Sequence, residues 1–183
     1  NFDRVKQSFP QAGSSFKPFI YSAAIANGYK ASDTINDAPI IFEDQNLESA
    51  WRPENYTGKF YGPIRLREAL VQSVNIVSIK LLRELGIDKA HTFLENFGFP
   101  KSRLAPDLSL ALGSSSFSPA EMIRAYNFLA NSGEGKNLYF IEKIIDRDNN
   151  IIFQHSHAQP ELDDTQSLDG FPWFTEELIE EIQ

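Results

Sequence analysis

The sequence predicts an α+β domain that is mostly helical and carries one β-hairpin. Three observations support this fold class. Apolar residues recur with helical spacing in several stretches, a long irregular segment separates the first two of these, and two β-rich runs flank a polar turn near the end. With 183 residues, 42% hydrophobic and 13% aromatic, the chain can bury one substantial core. We therefore expect one globular domain, or part of one.

The first helix is predicted around residues 16–26, where apolar side chains share one face, and Asn27-Gly28 should end it. The apolar residues of the segment 29–63 show neither helical nor strand spacing, which predicts a long irregular loop. Only residues 39–42 resemble a strand. Four aromatic residues favour an ordered loop packed on the body of the domain. They are Trp51, Tyr56, Phe60 and Tyr61.

Helical spacing returns over residues 63–86, with Ser73 in the middle, and again over 88–98 and 119–131. Ser118 followed by Pro119 and Glu121 predicts a capping box at the start of the last of these. The runs "NLYFIEKIID" and "NIIFQHS" around "RDNN" predict the hairpin. Residues 1–155 are therefore interpreted as the domain, and 156–183 as an acidic linker with a possible terminal helix.

Composition excludes several classes of function. The formal net charge of -8 argues against a general affinity for nucleic acid or anionic lipid. The absence of cysteine excludes disulfides and thiolate metal ligands, and no run of about 18 apolar residues is present. The chain starts without methionine and resembles an excised piece, so any membrane anchor is expected upstream of Asn1.

The stretch "QAGSSFKPF" presents two serines ahead of a lysine. On a helix, residues three apart lie about 60° from each other, whereas residues two apart face away. Ser14 can therefore meet Lys17, and Ser15 cannot. A lysine in a desolvated setting can be neutral enough to take a proton from a hydroxyl, so the spacing permits an activated Ser14.

The position of this pair supplies a second reason. Pro18 has no N–H and is tolerated only in a first helical turn, so the helix should start near Ser14 or Ser15. Unpaired backbone N–H groups at such a start form a natural oxyanion site. Because a proline disfavours helical geometry at the residue before it, we expect an irregular turn at Lys17.

A second polar pair, Ser73 and Asn75, interrupts the apolar residues of "REALVQSVNIV". Such side chains must face solvent or find partners, and a solvent-facing pair at a break between two helices explains them as well as a catalytic role does. Spacing alone leaves both explanations open.

Together these residues resemble the transpeptidase domain of class A, bifunctional penicillin-binding proteins. The S-x-x-K of residues 14–17 and the S-x-N of residues 73–75 are two of the three signatures of that family. The segments "WRPENY", "GPIRLREAL" and "ALGSSSFSPAEMIRAY" resemble further family segments in the same order. The resemblance covers roughly residues 10–145 and implies the serine β-lactamase/transpeptidase fold, of which this chain holds mostly the helical part and a hairpin.

The resemblance implies a peptidoglycan D,D-transpeptidase that acts through an acyl-enzyme and is a target of β-lactams. Ser14 would attack the penultimate D-alanine carbonyl of a stem peptide, and its N–H would form half of the oxyanion hole. Lys17 would be the base, Ser73 would relay a proton to the leaving group, and Asn75 would bind the substrate amide and the lysine. Substrate binding is also assigned to "WRPENY", with Trp51, Asn55 and Tyr56. Location in the bacterial cell envelope, outside the cytoplasm, and no cofactor are implied.

Two departures from the family pattern matter. In class A β-lactamases the second motif is Ser-Asp-Asn, whereas its middle residue here is Val74. This difference favours a transpeptidase over a hydrolase of antibiotics. No K-T-G or K-S-G follows Ser73, so the strand that supplies the other oxyanion donor must come from residues beyond Gln183 or from a second chain. A penicillin-binding sensor or scaffold without turnover and a D,D-carboxypeptidase stay as alternatives.

The remaining candidates have simpler explanations. His155 and His157, with His91 elsewhere, lack a third ligand at fixed spacing, so no metal site is predicted. The glycosylation-like "NYT" at residues 55–57 would be idle in a bacterium. The serines at 114–116 follow Gly113 without a lysine at the required spacing, which indicates a tight turn before the capped helix.

Overall fold

The computed structural model describes residues 2–41, 51–136 and 138–155. The helices of these residues are α1 (Lys17–Ala26), α2 (Leu66–Val71), α3 (Asn75–Leu85), α4 (Ile87–Glu95) and α5 (Pro119–Ala130). Strands β1 (Thr34–Asp37) and β2 (Gly62–Arg65) pair antiparallel, as do β3 (Lys143–Ile145) and β4 (Ile151–Gln154). Short 3-10 segments lie at Gly13–Phe16, Lys101–Arg103 and Leu108–Leu112.

Helix α1 lies in the core, where it packs against α3 and α4. Its predicted extent is confirmed, with Lys17 as the first residue after a 3-10 turn and Asn27 as the C-cap. An aromatic cluster surrounds its start, and neighbouring ring centroids in the cluster are 4.6–5.7 Å apart. The cluster consists of Phe16, Phe19, Phe97, Phe99 and Phe117. Because Phe16 lies between Ser15 and Lys17, the cluster fixes the turn that carries both serines.

The prediction of an irregular loop over residues 29–63 is wrong in part. β1 lies within it and pairs with β2, so that Ile35 faces Ile64 and both are buried. Pro63 therefore belongs to a strand and does not begin a helix. The strand predicted at residues 39–42 is absent over 39–41, and Phe42 lies outside the described residues. β1 has only four residues among turn-forming neighbours, which is too few for a periodic signal.

The helical stretch predicted over residues 63–86 is two helices, with the break at Ser73. The N–H of Ser73 donates to the Leu70 carbonyl and the N–H of Val74 to the Ala69 carbonyl, 2.9 and 2.8 Å away. Ser73 has φ +53, the left-handed conformation in which this type of helix end usually has glycine. The buried Val74 packs in the core and serves as N-cap of α3, so the chain re-enters a helix at Asn75.

The capping box at the start of α5 is confirmed. The Glu121 N–H donates to Ser118 Oγ at 3.3 Å, and the Ser118 N–H donates to Glu121 Oε2 at 2.8 Å. Arg103 forms an ion pair with the same glutamate. The helix predicted at 88–98 runs from Ile87 to Glu95.

The predicted hairpin is confirmed by β3 and β4. Its turn is closed by the Asp146 carboxylate, which accepts from the N–H groups of Asp148 and Asn150 at 2.8 Å each. Both strands are exposed along their whole length. The predicted linker and terminal helix at 156–183 lie outside the described residues, and no helix within the described ranges is long and apolar enough to cross a membrane.

Candidate active site

The two adjacent serines have different surroundings. Both are exposed in the 3-10 turn Gly13–Phe16. Ser15 Oγ donates to the Ala12 carbonyl at 2.6 Å, whereas Ser14 Oγ has no hydrogen-bond partner within the part of the chain that the structure describes. Of the two serines, Ser14 therefore has the hydroxyl that is not engaged by the described part of the protein.

Lys17 is buried, with 1% of its surface exposed, and its amine has three acceptors. Nζ lies 2.6 Å from the Ser73 carbonyl oxygen, 3.0 Å from Ser73 Oγ and 2.7 Å from Asn75 Oδ1. The structure thereby joins Lys17 to both residues of the second motif. The amine hydrogen-bonds to these residues and makes no hydrogen bond to Ser14 Oγ, although Ser14 lies in the turn directly before it.

The burial of Lys17 makes its amine easier to deprotonate. Burial lowers the pKa of Lys17 from 10.5 to about 8, because the charged form loses its hydration. The three acceptors match the three N–H bonds of an ammonium group. Loss of one proton leaves a lone pair beside Ser73 Oγ, so the same nitrogen can take a proton from a neighbouring hydroxyl and pass it on.

Ser73 is placed by its unusual backbone. In the left-handed conformation, both its carbonyl oxygen and its hydroxyl approach the Lys17 amine, and the side chain stays exposed. An L-residue in this region costs roughly 1–2 kcal/mol. A strained residue that also contacts a buried amine is typical of a functional site.

The side-chain amide of Asn75 is oriented from both ends. Its Nδ2 donates to the Glu54 carbonyl at 2.9 Å, which leaves Oδ1 for Lys17. Its backbone N–H donates to Asn55 Oδ1 at 3.0 Å. The "WRPENY" segment therefore contacts the S-x-N motif through Glu54 and Asn55.

The three residues predicted to bind substrate in this segment differ in exposure. Asn55 is buried, and its amide is fully engaged by protein groups, so its place in the fold favours support of α3 over contact with a substrate. Tyr56 is fully exposed, and Trp51 is half-buried against the core. A buried asparagine cannot be distinguished from an exposed one by residue type alone.

The tight turn predicted at residues 113–116 supports the turn that carries Ser14. The N–H groups of Gly13 and Ala12 donate to the carbonyls of Gly113 and Ser115, 2.9 Å away in both cases. Gly113 has φ +71, and a Cβ there would lie 2.0 Å from the Gly13 carbonyl oxygen. Only glycine permits this approach. The signal in the sequence was the glycine itself, but its partner is a hundred residues away along the chain.

The histidines that the structure describes make contacts with residues other than the four predicted catalytic ones. His91 is buried and its Nε2 lies 3.0 Å from the Ala105 carbonyl oxygen, while the His155 ring stacks on Tyr139. His157 lies outside the described residues. Within the described ranges no cluster of three or more potential metal ligands occurs.

Comparison with known proteins identifies the family. A family model described as the penicillin-binding protein transpeptidase domain matches residues 3–169. Penicillin-binding protein 1A of Pseudomonas aeruginosa is 44% identical over 170 residues, which are 93% of this chain and 21% of that protein. Penicillin-binding protein 1A of Escherichia coli K12 is 40% identical over 161 residues, 88% and 19% of the two chains. The chain belongs to the penicillin-binding protein transpeptidase domain family and spans about a fifth of the length of these relatives.

Solved structures agree. Penicillin-binding protein 1A from Haemophilus influenzae superimposes with a TM-score of 0.76 at 41% identity, over 84% of this chain and 23% of that one. Penicillin-binding protein A from Mycobacterium tuberculosis, solved as an imipenem acyl-enzyme complex, gives a TM-score of 0.70 at 20% identity over 84% and 40%. The second match shows the shared fold. The predicted serine β-lactamase/transpeptidase fold is therefore confirmed.

Proposed function

We propose that this chain carries the serine acylation machinery of a peptidoglycan D,D-transpeptidase that β-lactams inhibit. The observation that carries the proposal is the buried Lys17 amine, which hydrogen-bonds to both Ser73 and Asn75, three residues after the exposed Ser14 in the chain. Family membership supports the same reaction. We also propose a place in the bacterial cell envelope, outside the cytoplasm, with peptidoglycan stem peptides as substrates.

The proposed reaction assigns one role to each residue. Neutral Lys17 takes the proton of Ser14 Oγ as this oxygen forms an ester with the penultimate D-alanine carbonyl. Lys17, through Ser73 Oγ, returns a proton to the departing nitrogen of the terminal D-alanine as the peptide C–N bond breaks. The amine of a second stem peptide then attacks the ester carbonyl and loses a proton, and the ester C–O bond breaks as Ser14 Oγ takes a proton back. Asn75 binds the substrate amide and Lys17. In a β-lactam the ring amide nitrogen takes the place of the leaving group.

The oxyanion site requires two donors. The Ser14 N–H lies in the first turn of a 3-10 segment, where N–H groups lack intrahelical acceptors. The sequence contains no K-T-G or K-S-G after Ser73, so we propose that the second donor comes from outside these 183 residues. Tests of the reaction therefore require the full-length protein.

Labelling with a fluorescent penicillin, followed by mass spectrometry of the adduct, tests the nucleophile. We expect the label on Ser14 and its loss in Ser14→Ala. Ser15→Ala is the matched control, since the Ser15 hydroxyl is bound to the Ala12 carbonyl, and it should keep the label. A label on Ser15, or an unlabelled full-length protein, would contradict the proposal.

Turnover of a donor pentapeptide separates the transpeptidase from its alternatives. Release of D-alanine with formation of a cross-linked dimer is expected. Hydrolysis without a dimer would indicate a D,D-carboxypeptidase, and penicillin labelling without release of D-alanine would indicate a sensor.

A further inference from the structure

A buried carboxylate lies behind the candidate active site. Asp37, the last residue of β1, has no exposed surface, and it forms no ion pair with any residue in the described part of the chain. Its oxygens accept from Asn55 Nδ2 at 2.9 Å each and from the Tyr61 N–H at 2.9 Å. Because burying a charge is costly even when hydrogen-bond donors compensate it, Asp37 is a candidate for a functional role.

Asn55 connects this carboxylate to the second catalytic motif. Its Oδ1 accepts from the backbone N–H groups of Asn75 and Ile76, at 3.0 and 3.2 Å. These are the first two residues of α3, whose own N-cap, Val74, has no side-chain cap bond. Asn55 therefore supplies from another segment the acceptor that a serine or aspartate at the N-cap would normally provide.

The same contacts fix the geometry at Lys17. Asn75 follows the backbone of the first turn of α3, and its Oδ1 lies 2.7 Å from Lys17 Nζ. A displacement of this turn would move Oδ1 away from the amine, and a misplacement of about 1 Å can cost about 100-fold in rate. The negative charge of Asp37 orients the Asn55 amide, with its oxygen toward the positive end of the helix dipole.

We propose that Asp37 and Asn55 are positioning residues: Asp37 orients the Asn55 side chain, which holds the start of α3 where Asn75 meets Lys17. This inference rests on the proposed function. Neither residue touches the substrate, so both act on the rate of acylation through Asn75. For Asn55, this positioning role takes the place of the substrate-binding role predicted from the sequence.

Exchange of the two side chains gives a sharp test. In Asp37→Asn, the new amide N–H group would face the N–H donors of Asn55 and Tyr61. In Asn55→Asp, the new carboxylate would face the carboxylate of Asp37. The double variant Asp37→Asn/Asn55→Asp restores one donor opposite one acceptor and keeps an oxygen for the N–H groups of α3. It loses the bond from Asn55 Nδ2 to the Lys59 carbonyl, so its recovery should be incomplete.

The measurement is the acylation of the full-length protein by a fluorescent penicillin, with the acylation rate constant separated from the dissociation constant of the preceding complex. We expect acylation about 10-fold slower in Asp37→Asn and about 100-fold slower in Asn55→Asp, with little change in the dissociation constant. The double variant should return to within a few-fold of the wild type.

Lys80→Met is the matched control. Lys80 Nζ donates to the carbonyls of Asn36 and Ala38. Lys80 therefore also joins α3 to the end of β1, about a turn and a half of helix beyond Asn75. Its loss should lower the melting temperature and leave acylation unchanged.

Single variants that react at the wild-type rate, a folded double variant as slow as Asn55→Asp, or a Lys80→Met variant as slow as the single variants would overturn the positioning roles. If a single variant does not fold, the double variant decides the question alone. An unreactive wild type would overturn the proposed function and, with it, this inference.

Discussion

Lys17 combines a buried amine with three hydrogen-bond acceptors, and these two features oppose each other. Burial disfavours the charged form, while the oxygens of Ser73 and Asn75 stabilise it. Burial is the dominant cause and brings the pKa of Lys17 to about 8. A general base works best when its pKa lies near the working pH, so this balance suits proton transfer.

The pH dependence of acylation tests this role. Only neutral Lys17 can accept the Ser14 proton, and its neutral fraction rises as the pH passes its pKa of about 8. The acylation rate should therefore increase from about pH 6 and level off above about pH 9. Lys17→Ala should be slower by about 100-fold or more and should lose this rise. Stopped-flow labelling with penicillin measures both, and a wild-type rate that is flat across this range would contradict the role of Lys17 as base.

Two substitutions of Ser73 distinguish the effect of losing its hydroxyl from the effect of its strained backbone. Ser73→Gly removes the hydroxyl and relieves the left-handed conformation at φ +53, whereas Ser73→Ala removes the hydroxyl alone. Both variants should acylate slowly to a similar degree. The glycine variant should be more stable than the alanine variant by about 1 kcal/mol, as measured by denaturant unfolding. Equal stabilities would indicate that the strain is absent.

Residue spacing suggested Ser14 and Lys17, and the family resemblance added Ser73 and Asn75, but neither indicated the residues that support them. Helical spacing relates Ser14 to Lys17, whereas Ser73 and Asn75 lie at a break between two helices. Asp37 and Asn55 depend on a strand pairing and on burial, and neither is visible in local spacing. The residue type of Asn55 is the same whether it binds a substrate or caps a helix.

At the scale of the element, the turn at Gly113 supports the 3-10 turn Gly13–Phe16. Gly113→Ala would place a methyl group 2.0 Å from the Gly13 carbonyl oxygen, so one of the two turns must move. Gly58→Ala is a matched control, because Gly58 also has a positive φ, +66, but has open space around its Cβ position.

Both glycine variants should lose about 1 kcal/mol from backbone strain, and Gly113→Ala should lose further stability and acylate at least about 10-fold more slowly. Thermal unfolding and penicillin labelling measure the two effects. Equal behaviour of the two variants would show that the contact with Gly13 is unimportant.

Elements with strong local signals were predicted, and those without them were missed. The capping box, the proline of α5 and the glycine-rich helix ends depend on nearby residues, so α1, α4 and α5 follow from the sequence. The β1–β2 pair joins segments separated by a long loop, and its strands have four residues each. Such pairing depends on tertiary contacts, which a single sequence does not reveal.

At the scale of the whole molecule, the aromatic cluster joins the 3-10 turn Gly13–Phe16 to the segments around Phe99 and Phe117. Phe99 is 1% exposed, and its ring centroid lies 5.1 Å from that of Phe16 and 4.6 Å from that of Phe117. Phe99→Ala should cost about 3–5 kcal/mol of unfolding free energy and lower the melting temperature by about 10 °C.

The control for this change is Phe2→Ala, since Phe2 is 66% exposed and its loss should cost under about 0.5 kcal/mol. Calorimetry of both variants gives the comparison. A small effect of Phe99→Ala would mean that the cluster does not determine the stability of the fold.

The cap that Asn55 places on α3 has a consequence for hydrogen exchange. The first amides of a helix usually exchange quickly with solvent because they lack intrahelical acceptors. The amides of Asn75 and Ile76 instead donate to a buried side chain that β1 holds through Asp37. Their protons should therefore exchange slowly, and only when the β1–β2 pair opens. The stability of this strand pair, which lies outside α3, would then determine how strongly the first turn of α3 is protected from exchange.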